Sequence, residues 1–473
     1  MAFALEHLAK YKKNRIIVVI PYTSIIEQTA MIYKAVFGEE NVIEHHSSLD
    51  PDKESSKSRL ASENWDAPII VTTNVQFFQS LFAARSSACR KIHNIVNSIV
   101  ILDEVQMLPS DYLNPILNSI NGLVDNFGVS IILCTATQPV LVGQIGSGEA
   151  EFKVLDNNCC REIIKNPLNL SKKFQRVEVL QHGKYESWLI LAEDLKKYKQ
   201  VLCIVNTRGD CKELYHLMPE GTIHLSANMC GEHRSLVIDE IKATLQKGSS
   251  IRVVSTQLVE AGVDIDFPVV YRAMAGFDSI VQAAGRCNRE GQIKLGNVIV
   301  FDPPKPAPAG ILRKGEQAGR EIFSVDPEGC RELRPDTFTK YFNLFYCSLN
   351  SFDKKNINNL LVKDAYPKLN IQFRTAAQKF QLIENQNQVS VVIWYKGKKT
   401  DSRDLITELR FSGANRILMR KLQRFIISIP ENVFFEVRES FIEIQGIWCQ
   451  NADTLYNDIL GFVGYEGNTP IIY

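Results

Sequence analysis

Asp103 and Glu104 stand side by side after the apolar run Ile99–Leu102. Farther along, Gln282, Arg286 and Arg289 recur at i, i+4 and i+7 in Gln282-Ala283-Ala284-Gly285-Arg286-Cys287-Asn288-Arg289. An acidic pair at a strand end suits a divalent cation and a water. One carboxylate can hold the Mg²⁺ that bridges the β- and γ-phosphates of ATP, and the next can orient or deprotonate the attacking water. Asp103 is the better candidate for the metal and Glu104 for the water, with Gln106 placed to relay the nucleotide state. The bland alternative is an acidic helix N-terminus complementing the helix dipole. The second set predicts three side chains on one helical face. Guanidinium groups suit bidentate phosphate contact, and an arginine finger contributes roughly 10³–10⁵ in rate. The competing reading is a basic, solvated face. Gly285 inside a helix argues against it, costing about 1 kcal/mol relative to Ala unless something approaches closely. Together the two sets read as the walls of an ATP site in a nucleic-acid motor. No Gly-x-x-x-x-Gly-Lys-Ser/Thr phosphate loop occurs in the 473 residues.

Such residues need strands to carry them. Ile16–Ile20, Ile69–Val71, Ile99–Leu102 and Ser130–Leu133 read as buried parallel strands with helical patterns between them, and the series restarts with Val201–Val205, Val253–Val254, Val269–Tyr271 and Asn297–Phe301. This alternation predicts an α/β protein with two parallel-sheet lobes, 1–150 and 165–302, separated near Gly143–Pro167. The Pro-rich stretch at 303–312 cannot continue a strand or helix and reads as a linker. Residues 313–473 read as a small α+β accessory domain. In it Leu360–Leu369 and Arg416–Gln423 look helical or turn-rich, while Val389–Tyr395, Phe425–Ile429 and Phe434–Ile444 look like strands.

Functional residues of parallel α/β units gather beyond the carboxyl ends of the strands. Polar residues stand there repeatedly: Pro21-Tyr22-Thr23-Ser24, Thr72-Thr73-Asn74, Thr135-Ala136-Thr137, Asn206-Thr207 and Ser255-Thr256-Gln257. Pro21, Tyr22, Thr23, Thr72, Thr73, Asn206 and Thr207 fit backbone contacts to a single strand, with Thr256 and Gln257 as couplers to ATP. Thr135 and Thr137 join Gln106 as candidates for ATP coupling. Gly262 and Asp264 fit a place beside the nucleotide sugar or an ordinary turn. For each Ser, Thr or Asn taken singly, helix capping explains the residue as well.

The net charge of +1 gives no global attraction to nucleic acid, so any groove must be local. The eleven cysteines are scattered and odd in number, which suits reduced thiols in a cytoplasm rather than a disulfide framework or zinc site. Charges throughout residues 1–20 exclude a signal-peptide core, and no apolar run is long enough to span a membrane. His45-His46 beside Glu44 lacks a second ligand cluster and reads as a loop. Arg416, Arg420, Lys421 and Arg424 form a basic stripe, either solvated or contacting nucleic acid.

Several motifs resemble the CRISPR-associated helicase of type I interference systems: Pro-Tyr-Thr-Ser-Ile-Ile-Glu-Gln (21–28), Val-Thr-Thr-Asn-Val-Gln-Phe-Phe (71–78), Leu-Asp-Glu-Val-Gln-Met-Leu-Pro (102–109), Cys-Thr-Ala-Thr-Gln-Pro (134–139), Ser-Thr-Gln-Leu-Val-Glu-Ala-Gly-Val-Asp-Ile-Asp (255–266) and, most specific, Gln-Ala-Ala-Gly-Arg-Cys-Asn-Arg-Glu-Gly (282–291). The C-terminal stretches 373–380 and 416–425 also fit. The resemblance implies a superfamily 2 helicase with two RecA-like lobes that moves along single-stranded DNA with ATP and Mg²⁺. It implies the RNA-guided surveillance complex as partner, and a C-terminal domain over the single-strand channel.

Two features depart from the family. It carries a metal-dependent nuclease with a His-Asp signature, and no His-Asp dipeptide occurs here, so a separate nuclease is a candidate partner. Met1–His7 resembles the helix that follows the phosphate loop, so the expectation is a first lobe truncated at its central strand and impaired in ATP hydrolysis. A non-catalytic DNA-binding remnant and another superfamily 2 nucleic-acid motor are the competing expectations.

Overall fold

The computed structural model describes residues 1–46, 63–156, 158–362, 371–383 and 387–464. The chain divides into two compact units, Met1–Lys165 with Phe342–Glu384, and Asn166–Tyr341 with Asn385–Tyr473. The stretch 313–473, expected as one accessory domain, is therefore shared between them.

The first unit is built on five parallel strands: β1 (Ile16–Ile20), β2 (Val42–His45), β3 (Ile69–Thr73), β4 (Ile99–Leu102) and β5 (Ser130–Leu133), in the order β2-β3-β1-β4-β5. The strand β1 is apolar at every position because both of its faces are covered. In register, Ile20 lies opposite Thr73, Val19 opposite Leu102, and Leu102 opposite Leu133, so four strands release their next residues at one sheet end. The β2 strand escaped the sequence reading because Glu44 and His45 interrupt a run only four residues long. A small hairpin, β6 (Gln144–Ile145) and β7 (Phe152–Lys153), follows. Residues 342–384 join this unit through aromatic packing: Phe380 stacks on Phe82 with ring centres 3.9 Å apart, and Tyr112 Oη donates to the Lys379 carbonyl at 3.1 Å. Of the stretch expected to be helical over 360–369, a helix spans Ile357–Leu361, and 363–369 lies outside the described residues.

The second unit holds six parallel strands: β8 (Val177–Lys184), β9 (Gln200–Val205), β10 (Ile223–Leu225), β11 (Ile251–Thr256), β12 (Val269–Ala273) and β13 (Gly296–Asp302), in the order β10-β11-β9-β12-β13-β8. After β13 the Pro-rich stretch has no regular structure until a helix begins at Ile311. It is nonetheless tied down, since Glu316 Oε2 accepts from the Ala307 amide at 2.8 Å.

A four-stranded mixed sheet packs in the same unit: β14 (Gln388–Val392), β15 (Ile426–Pro430), β16 (Phe441–Ile444) and β17 (Ile447–Gln450), in the order β15-β14-β17-β16. Here the strand expected over Phe434–Ile444 needs correction. Pro430 starts a helix, Glu431–Glu436, that buries Val433 and Phe434, and only Phe441–Ile444 is extended. The hairpin to β17 turns through Gln445 and Gly446, both at positive φ (52° and 80°), the geometry that two-residue hairpins favour. Two short strands, β18 (Tyr456–Asn457) and β19 (Gly461–Phe462), seal this sheet onto the parallel one. Tyr456 Oη accepts from the Cys230 amide at 3.0 Å, and the Phe462 amide donates to Asn228 at 2.9 Å. The architecture is thus α/β, with two RecA-like parallel-sheet lobes and a small α+β C-terminal portion. Among the described residues no helix is long and apolar enough to cross a membrane.

Candidate functional site

In the first unit the predicted ATP residues meet at the ends of β4 and β5. The Asp103 amide continues the ladder by donating to Val19 at 2.9 Å, and Asp103 Oδ1 accepts from the Glu104 amide at 3.1 Å. Glu104 sits in the left-handed region (φ 50°), a conformation that costs a non-glycine residue about 1–3 kcal/mol and is typical of functional turns. The turn sends the Glu104 carboxylate back to accept from Gln106 Nε2, while Gln106 Oε1 accepts from the Thr135 hydroxyl. Thr135 Oγ1 in turn accepts from the Thr137 amide at 3.2 Å and lies 2.6 Å from the Thr137 carbonyl. Asp103, Glu104, Gln106, Thr135 and Thr137 therefore form one chain of contacts.

Burial pushes the Asp103 carboxyl above the usual carboxylate range, against the pull of the Glu104 amide. A divalent cation would favour its anionic form, and the carboxylate and hydroxyl oxygens are the hard donors that Mg²⁺ takes. No group of three or more His, Cys, Asp or Glu able to hold a metal occurs among the described residues. Asp103 would offer such an ion one hard oxygen donor. His45 and His46 are engaged elsewhere: Trp65 Nε1 donates to His45 Nδ1 at 3.1 Å, and His46 Nε2 lies 2.8 Å from Glu44.

In the second unit the expected helical face of Gln282, Arg286 and Arg289 does not form. The helix spans Phe277–Ala284 and Gly285 is its cap, so only Gln282 is helical. The cause is a short bridge. The Phe267 amide donates to Arg286 at 2.9 Å and the Asn288 amide to Phe267 at 3.0 Å, which pulls the chain out of the helix, with Asn288 at φ 46°. Gly285 is thus not a mid-helix residue, though a Cβ there would come within 3.2 Å of the Gln282 carbonyl.

The two arginines consequently differ. Arg286 is 8% exposed, and its Nε and Nη2 each donate at 2.7 Å, to the Val259 and Glu260 carbonyls. Arg289 is exposed and pairs with Asp264 at 2.9 Å, while its amide donates to Asp266 Oδ1 at 2.8 Å. Gly262, at φ 73°, makes the turn that leads to Asp264.

Most of the residues expected to grip a strand have side chains engaged inside the fold. Thr72 is fully buried and donates to the His45 carbonyl at 2.9 Å. Thr73 and Thr207 are N-caps, accepting from the Gln76 and Asp210 amides at 3.0 Å each. Asn206 donates to the Met274 carbonyl at 2.9 Å, and Thr256 is buried. Pro21, Tyr22 and Gln257 are part-exposed, and Thr23 opens the helix Thr23–Phe37. What the caps leave at the ends of β3 and β9 is the first-turn amides of two helices, which are phosphate-binding groups in their own right.

Two residues that sequence reasoning passed over complete the second site. Arg272 of β12 is fully buried; its Nε lies 2.7 Å from Glu260 Oε1, and its Nη1 donates to Asn206 Oδ1 at 2.7 Å. Glu260 Oε2 accepts from Ser279 Oγ at 3.0 Å. Burial raises the Glu260 carboxyl to about 7 despite the Arg272 charge. The available signal was a lone charge inside the apolar run Val269–Ala273.

Two family models match the chain: a DEAD/DEAH box helicase over residues 1–144, and the C-terminal part of the CRISPR-associated nuclease/helicase Cas3 over residues 197–292. A CRISPR-associated nuclease/helicase Cas3 of Haloferax volcanii is 25% identical across 62% of this chain and 44% of its own length. A putative one of Methanocaldococcus jannaschii is 24% identical across 62% of this chain and 42% of its own. The chain thus spans less than half the length of these curated relatives. Among solved structures, T. fusca Cas3 with ADP superposes with a TM-score of 0.62 at 14% identity, covering 95% of this chain and 63% of that one. A chain of a CRISPR RNA-guided surveillance complex in a pre-nicking state superposes with a TM-score of 0.58 at 15% identity, covering 98% of this chain and 70% of that one. In sequence and fold, the chain is similar to the helicase portion of the CRISPR-associated Cas3 proteins.

Proposed function

We propose that this protein is the motor portion of a CRISPR-associated helicase, moving along single-stranded DNA at the expense of ATP. The observation that supports this most is the continuous contact chain from Asp103 through Glu104 and Gln106 to Thr135 and Thr137. It joins the acidic pair to the next strand end, as a site that senses its nucleotide requires. Asp103 would hold Mg²⁺ on the β- and γ-phosphates, and the metal supplies charge neutralisation there. Glu104, held in its strained turn, orients the attacking water, and Gln106 reports its position to Thr135. Arg289 is the exposed guanidinium suited to developing phosphoryl charge, whereas Arg286 holds the turn that presents it.

Each unit offers its own phosphate contacts for a single strand: first-turn amides of the helix Asn74–Leu81, with Pro21 and Tyr22, in the first, and those of the helix Arg208–Leu217, with Gln257, in the second. In the proposed setting the partners are an RNA-guided surveillance complex, which delivers the DNA, and a separate nuclease.

The absence of a phosphate-loop motif from the 473 residues favours a second reading for this chain on its own, in which it binds single strands and turns over ATP poorly. Binding of fluorescent oligothymidylate, with oligouridylate as competitor and salt as a variable, tests the common element of both readings. The expected result is saturable, salt-sensitive binding with preference for the deoxy strand. Absence of binding to either strand would refute both.

A further inference from the structure

Resting on that functional reading, we propose that the Glu260–Arg272 pair is a positioning device that transmits occupancy of the single-strand site at Asn206–Thr207 to the ATP-site turn at Arg286. Glu260 makes two kinds of contact from one residue. Its carboxylate meets Arg272 at 2.7 Å, and Arg272 Nη1 reaches Asn206, the residue before the N-cap Thr207. Its backbone carbonyl accepts from Arg286 Nη2 at 2.7 Å, beside the Val259 carbonyl that takes Arg286 Nε. Ser279, bonded to the other carboxylate oxygen, ties the helix that carries Gln282 to the same group. Any shift of Asn206 on binding a strand must therefore move Arg272, and with it the residue that fixes Arg286.

Stability does not account for the pair. A buried ion pair is commonly no better than a well-packed apolar replacement, whereas breaking one side leaves a stranded charge. Arg272 Nη2 also has no hydrogen-bond partner among the described residues, although it is buried in the sheet. A spare donor at this place leaves room for a second bonded arrangement, which a two-position element requires.

The test uses the full chain as wild type, as Glu260→Gln, as Arg272→Met and as the double variant, each with and without oligothymidylate. Hydrogen exchange is read at 257–264 and 282–290, alongside DNA affinity and Tm. In the wild type, DNA is expected to slow exchange at 282–290 by at least about five-fold, the lower end of typical site-to-site coupling. The double variant should recover the Tm lost by the single ones and still bind DNA, yet show no response at 282–290. A double variant that recovers both Tm and response would make the pair structural and overturn the proposal. So would a double variant that folds but no longer binds, because the pair would then shape the strand site itself. A wild type that binds DNA without any response at 282–290 overturns the coupling and leaves the motor reading standing. A wild type that does not bind removes both.

Discussion

The two parallel-sheet units place comparable chemistry on opposite kinds of support. In the first, the functional chain is local: Asp103, Glu104 and Gln106 fall within four residues, reach one neighbouring strand, and remain half-exposed. In the second, the contacts join residues far apart in the sequence, from Asn206 through Arg272 and Glu260 to Arg286, and all four are buried. A site that must admit a nucleotide and a water keeps its groups near the surface. A site that must carry a displacement through the sheet needs a dense, water-free path, because only packed groups pass on small shifts. On the proposed reading, the first unit is organised to react and the second to transmit.

The largest effect that would sharpen this contrast concerns the exposed arginine. In a version preceded by a strand and a Gly-x-x-x-x-Gly-Lys-Thr loop, Arg289→Ala should lower DNA-stimulated ATP turnover by roughly 10³-fold or more while leaving Tm nearly unchanged, since its ion pair with Asp264 is solvent-screened. A fall in Tm with little change in rate would place it among structural residues. Next comes the buried pair. Arg272→Met should cost about 3–5 kcal/mol by urea unfolding, because it leaves Glu260 without its partner, and adding Glu260→Gln should restore most of that. Additive losses would show that charge burial is not the issue.

Smaller effects follow from the caps. Thr73→Ala and Thr207→Ala should each cost about 1 kcal/mol, with the larger loss at Thr207, whose hydroxyl also donates to Asp210 Oδ2 at 2.7 Å. Equal losses would show that this extra bond contributes nothing.

In pH dependence the units should have opposite signs. Burial raises Glu260 from 4.5 to about 7, so between those values the folded chain holds a proton that the unfolded chain has lost, and stability falls as pH rises. Burial lowers Lys91, in the first unit, from 10.5 to about 8. Between those values the unfolded chain binds the extra proton, and stability rises with pH. Glu260→Gln should remove the first slope and Lys91→Met the second, each measured by urea unfolding across its range. Retention of either slope in its variant would assign it to another group.

These particulars show what the sequence exposed and what it hid. The strand β1 was legible because five apolar residues in a row have one home, the middle of a covered sheet. The position of Asp103 and Glu104 was legible because they follow a four-residue apolar run, and both do stand just beyond β4. The one-face geometry of Gln282, Arg286 and Arg289 misled because spacing says nothing of where a helix stops. Here the stop is imposed by the bridge from Phe267 to Cys287, a contact formed only in the folded chain. Phe434 looked like strand because aromatic residues favour sheets, yet Pro430 began a helix whose buried face needed it. The Thr and Asn side chains at the strand ends proved to be caps and internal partners, which leaves the amides beside them as the groups able to meet a phosphate. Glu260 and Arg272 stayed hidden because their significance lies in partners distant in sequence.

The central claim is that these residues serve ATP-driven movement on DNA. Its most direct test is DNA-stimulated ATP hydrolysis with Mg²⁺, comparing the 473-residue chain with a version preceded by a strand and a Gly-x-x-x-x-Gly-Lys-Thr loop. The account predicts turnover in the preceded version alone, stimulated by oligothymidylate and abolished by Asp103→Asn. Turnover in neither version, with both folded and binding DNA, would contradict it.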